Sequence, residues 1–190
     1  MPQNRTVPGT KLRSKLPLPT YNTKNVRGFD AQRKAVWGVV LKYTGHPHLM
    51  EWAGDFLREY NVPERDPAAL ARAVQQYAQE HVKFFRERPE RFASPLRTIQ
   101  WGFGDCDDKS ILIASVLRSF RVPVRLAFIR YRQPTLDGGS KRISHVYPQV
   151  KLKGQWLALE SVHPWPMGKD PAAEAKRKGY APIKMEVIGP

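Results

Sequence analysis

Two hydrophobic periods run along this chain, a helical one in its first two thirds and a strand-like one after that. Residues 30–45, DAQRKAVWGVVLKYTG, read as a helix with Asp30 as N-cap and Gly45 as stop. Residues 46–61 read as a second helix, opening at Pro47. The third is the clearest. Asp66 caps it, Pro67 takes its first position, and Leu70, Val74, Tyr77, His81 and Phe84 or Phe85 recur at helical spacing until Pro89. Residues 89–105 read as a loop-like approach to a further helix, 106–120. That helix is so apolar from Ile111 to Leu117 that burial is expected.

The period then changes. In 122–133 Val124, Leu126 and Phe128 alternate with Arg125, Arg130 and Arg132, the pattern of a half-buried strand. Residues 134–142, PTLDGGSKR, form a hairpin-type loop. Two more strands follow, 143–154 and 155–161, turning at Lys153-Gly154. Helices followed by a buried helix and antiparallel strands predict an α+β domain over 29–166. Residues 1–28 carry four prolines and scattered basic residues without a helical period, and are expected to be an extended arm. Residues 167–190 are expected to be a loose C-terminal extension with one short helix at 170–178.

Composition narrows the class. A chain of 190 residues with 41% hydrophobic residues can bury one real core. The net charge of +15 is spread along the chain and is densest in the first thirty residues. It predicts non-specific attraction to polyanions, without a nucleic-acid recognition motif to add sequence readout. No run of about 18 apolar residues spans a membrane, and the N-terminal segment lacks the apolar stretch of a signal peptide. A cytoplasmic or virion-associated protein is the simpler expectation. The single cysteine, Cys106, excludes an intramolecular disulfide and a paired-cysteine zinc site.

Cys106 sits in WGFGDCDDKS, between Asp105 and Asp107-Asp108. Acidic neighbours oppose ionisation of a thiol. Asp105, however, is a good N-cap. It would place the thiol in the first turn of a helix, where free N–H groups and the helix dipole favour a thiolate or an oxyanion. A nucleophilic thiol needs a base and a group that orients the base. Of five histidines, His145 is the best placed. It begins a strand, and an antiparallel hairpin can bring Glu160 beside it. Gln100, six residues before Cys106, is a candidate second oxyanion donor. Trp101 is a candidate wall of a substrate groove. Asp107 and Asp108 read as structural first-turn residues. No cofactor is implied, and no short ligand spacing supports a metal.

These residues carry a resemblance. Gly104-Asp105-Cys106-Asp107-Asp108, then His145 with Val150, then Trp156 with Glu160 follow, in order, the three motif blocks of the transglutaminase-like superfamily. The segment RVPVRLAFIRY after the cysteine helix is similar to the strand that follows it in that family. The resemblance spans roughly 96–166. It implies a papain-like core, with N-terminal helices and a buried cysteine-bearing helix packed on an antiparallel sheet. It also implies Cys106 as nucleophile, His145 as general base and acid, and Glu160 as orienting carboxylate. Two positions depart from the pattern: Glu160 stands where Asp is usual, and Tyr147 where Trp is frequent. The implied activity is thiol-dependent acyl transfer, as a peptidase or amidase or as a transglutaminase, on a peptide or protein substrate. The alternative is an assembly role, as in a tailed-phage virion component, with residues 1–28 binding protein partners.

Overall fold

A computed structural model describes residues 19–22, 28–63, 65–86, 91–131, 145–180 and 182–190. The predicted hairpin loop 134–142 and most of the arm at 1–28 lie outside the described residues. Of the arm, Thr20–Asn22 forms strand β1, antiparallel to β3 (Arg91–Ala93).

Three helices open the domain. Helix α1 (Phe29–Tyr43) starts from Gly28 at φ 90°, and Asp30 is a first-turn acid in it rather than the predicted cap. Phe29, 5% exposed, is drawn into the core and starts the helix one residue ahead of Asp30. Helix α2 (Pro47–Glu59) opens at Pro47 as expected. Helix α3 (Pro67–Glu80) has the predicted cap, with Asp66 Oδ1 accepting from the Ala68 and Ala69 N–H groups at 2.9 Å each. Trp52 and Phe56 of α2 stack at 5.1 Å and meet Tyr77 of α3 edge-on. Burying such rings is a principal source of core stability.

Helix α3 ends at Glu80, short of the predicted Pro89. Val82 is buried, and the chain turns into strand β2 (Lys83–Phe84), parallel to β4 (Phe103–Gly104). Phe84 and Phe85 are consequently exposed, not members of an apolar helix face. The expected loop 89–105 is largely ordered. It holds β3, helix α4 (Pro95–Trp101) and β4. Ser94 caps α4 through the Arg97 N–H, and Gly102 at φ 67° ends it.

Helix α5 (Cys106–Ser119) is the centre of the molecule. Its residues 107–117 are all buried. It packs on all four preceding helices and on the sheet. The four-stranded sheet has the order β7-β6-β5-β8 and is antiparallel throughout: β5 is Val124–Tyr131, β6 His145–Leu152, β7 Gln155–Ala158 and β8 Pro182–Ile188. The β6–β7 turn falls on Lys153-Gly154, both at positive φ, as a two-residue hairpin turn requires. Residues 167–190 are not loose. Helix α6 (Pro171–Arg177) is present, and β8 completes the sheet beside β5. Among the described residues no helix is long and apolar enough to cross a membrane.

Gly104 makes the closest approach in front of α5. A Cβ built there would lie 2.7 Å from the Asp108 Cβ. Gly104→Ala is expected to cost about 1–3 kcal/mol through overpacking. A denaturant midpoint equal to that of the parent chain would show that the turn relaxes freely.

Candidate active site

The site is organised at the N-terminus of α5. Asp105 Oδ1 accepts from the Asp107 and Asp108 N–H groups at 3.0 and 3.5 Å, and Asp108 Oδ2 accepts from the Asp105 N–H at 3.3 Å, a reciprocal capping box between Asp105 and Asp108. The other oxygen of Asp108 accepts from the Ala93 N–H at 2.7 Å, which ties β3 to the helix start. Asp107 and Asp108 are buried, as structural members of the first turn. Cys106 is half-buried at this helix start.

Two strands bring the remaining candidates together. The Val146 N–H of β6 hydrogen-bonds to the Cys106 sulfur, so the thiol lies against the backbone immediately after His145. Ser110 Oγ, one turn further along α5, donates to the Val146 carbonyl at 3.2 Å and fixes the same contact. His145 Nε2 lies 2.7 Å from Glu160 Oε2. Glu160 is two residues beyond the end of β7, where the Leu159 N–H still donates to the Pro148 carbonyl at 2.8 Å. Its side chain is fully buried.

The longer side chain at position 160 is accommodated by the loop behind it. Oε1 accepts from the Val162 N–H at 2.6 Å and from the His163 N–H at 3.1 Å. Burial raises the Glu160 carboxyl. The hydrogen bond and charge of His145, with these two N–H groups, outweigh burial and hold it below its usual range. The loop is gripped from outside as well. Gln75 and Gln79 of α3 each donate to the carbonyls of Glu160 and Trp165, at 2.8–3.0 Å.

The thiol responds in the opposite direction. Burial pushes it well above its ordinary value, and the charges of Asp107, Asp105 and Asp108 push the same way against the Val146 N–H. Acids and desolvation therefore oppose the ionising influence expected of the helix start. Tyr147, the other departure from the family pattern, is fully buried. Its ring stacks on His145 with centroids 5.8 Å apart, and its hydroxyl donates to Asp170 at 3.1 Å.

The flanking candidates are less tightly joined to this centre. Gln100 is half-buried near the end of α4. Trp101 stacks on Phe103 and carries the Arg97 guanidinium 3.6 Å above its ring. Of the other histidines, His81 lies against Tyr77 and Tyr60 and His46 against Tyr43 and His48, while His163, whose backbone N–H reaches Glu160, stacks its ring on Trp165. Among the described residues no group of three or more His, Cys, Asp or Glu could hold a metal ion.

With this geometry in place, comparison with known proteins is decisive for the family. The sequence profile of the transglutaminase-like superfamily matches residues 55–161, more than half of the chain. The chain belongs to the transglutaminase-like superfamily. Its α+β architecture is the papain-like core of that superfamily. No curated protein matches this superfamily member. Two solved structures resemble it at low identity. One is a candidate cysteine protease from Cytophaga hutchinsonii, 12% identical with a TM-score of 0.49, over 90% of this chain and 58% of that one. The other is a candidate protease from Parabacteroides distasonis, 10% identical with a TM-score of 0.48, over 72% of this chain and 26% of that one. The chain thus spans less than two thirds of either protein.

Because the Glu160 carboxyl is held down in the folded state, it contributes stability above its unfolded value of about 4.3. That contribution is lost as pH falls through the lower folded value. The stability difference between the parent chain and Glu160→Gln is therefore expected to shrink below about pH 4. Denaturant titrations at neutral and acid pH measure it, and a pH-independent difference would contradict the assignment.

Proposed function

We propose that this protein is a thiol-dependent acyl-transfer enzyme in which Cys106, His145 and Glu160 act as a triad. The observation that carries the reading is the joining of three elements at one point. The Cys106 sulfur accepts from the Val146 N–H, and the adjacent His145 pairs with buried Glu160 at 2.7 Å. With Nε2 engaged by Glu160, Nδ1 is the imidazole nitrogen left to serve the thiol.

The chemistry follows from the electrostatics. Since burial and three acids hold the thiol protonated, ionisation is best coupled to attack. His145 removes the Sγ proton as sulfur bonds to the carbonyl carbon of an amide or ester. The same imidazole then protonates the leaving group, and a thioester remains on Cys106. Glu160 stabilises the imidazolium and fixes its orientation. The Cys106 backbone N–H and the Gln100 side-chain amide are the proposed oxyanion donors. Water is the favoured acceptor, which makes the protein a peptidase or amidase. The net charge of +15 suits an acidic peptide or protein substrate.

Acyl transfer from p-nitrophenyl acetate tests this without knowledge of the natural substrate. A burst of p-nitrophenol with an acetyl adduct on Cys106 by mass spectrometry is expected. Cys106→Ala should abolish both, and His145→Ala should slow acylation by about 100-fold or more. Faster turnover on adding a primary amine would identify amine transfer instead of hydrolysis. A burst that survives Cys106→Ala would sink the proposal.

A further inference from the structure

Lys109 is the anomaly of the cysteine helix. It is 2% exposed, and no other Lys or Arg among the described residues is fully buried. A lysine is almost never enclosed in this way unless it is paired. It stands three residues after Cys106, on the same face of α5. Its Nζ donates to the Ala78 carbonyl at 2.9 Å and to the Ser161 carbonyl at 3.0 Å. Ala78 lies in the last turn of α3, and Ser161 directly follows Glu160.

We propose that Lys109 is a positioning residue for the His145–Glu160 pair, pinning the backbone beside the acid to the cysteine helix and supplying a counter-charge to its carboxylate. This rests on the triad reading given above. An apolar side chain of similar length would fill the same volume without desolvating a charge. It would, however, leave two buried carbonyls without this donor and remove the lysine charge that Glu160 attracts. Burial lowers the ammonium to about 8, and the attraction of Glu160 opposes that shift.

Gln75 and Gln79 provide the comparison that separates charge from anchorage. They grip the same loop through neutral amides. Burst acylation by p-nitrophenyl acetate should be measured for Lys109→Met, Lys109→Gln, Gln79→Leu and His145→Ala, with folding checked by circular dichroism. Lys109→Met is expected to slow acylation by about 10- to 100-fold. Lys109→Gln, which keeps a donor but no charge, should stay nearly as slow, and Gln79→Leu should lose less. If His145→Ala acylates like the parent chain, the triad reading fails. If His145→Ala is slow while folded Lys109→Met matches the parent, the Lys109 proposal alone fails. Should Lys109→Met not fold, Lys109→Gln decides by the same comparison. Failure of both to fold would overturn the proposal in favour of a purely structural lysine.

Discussion

The placement of Cys106 depends on the hydrogen-bonded start of α5. Asp105 and Asp108 satisfy each other's backbone N–H groups, and Asp108 also accepts from Ala93. Free N–H groups at a helix start would otherwise face a dry interior. Capping lets this helix begin inside the protein, so its first residue can be a half-buried thiol. It also explains why a side chain at position 104 would be crowded, since Asp108 occupies the space a Cβ would need.

The same acids impose an electrostatic condition. They stabilise the helix end but raise the thiol, in concert with burial. Structural requirement and nucleophilicity thus pull in opposite directions over four consecutive residues. The molecule holds the opposing groups on other elements: a histidine and a backbone N–H on β6, and a carboxylate behind the histidine in the loop after β7. That loop is secured by its own turn around Glu160 Oε1, by two glutamines of α3 and by Lys109 of α5. Helices α3 and α5, strand β6 and the loop after β7 therefore bear on the geometry around one imidazole.

Much of this was legible in the chain because the signals are local. Asp66-Pro67 marks a helix start whatever surrounds it, and the Lys153-Gly154 turn follows from backbone conformation. The proximity of His145 and Glu160 follows from a hairpin of known length. Other local signals were present but outweighed. Ser94-Pro95 and Gly102 bracket α4 as a cap, a first residue and a stop, yet the segment is short and irregular in polarity. Lys109 interrupts an otherwise apolar helix face, a sign that a buried partner awaits it. Phe84 and Phe85 keep the helical period beyond the end of α3, while pairing with β4 decides their conformation.

By itself the sequence determined the types of helices α1–α3, α5 and α6 and of strands β5–β7, the cysteine at a capped helix start and the order of the family's motif blocks. These depend on nearest neighbours and on spacing within one element. Tertiary structure decided three further matters. Residues 182–188 became a strand because β5 had an open edge to pair. The extra methylene of Glu160 was absorbed by two backbone N–H groups of its own loop. At the thiol, burial and the carboxylates outweigh the Val146 backbone hydrogen bond. Each is a contest between long-range contacts or desolvation and local preference, and such contests are settled only when distant segments meet.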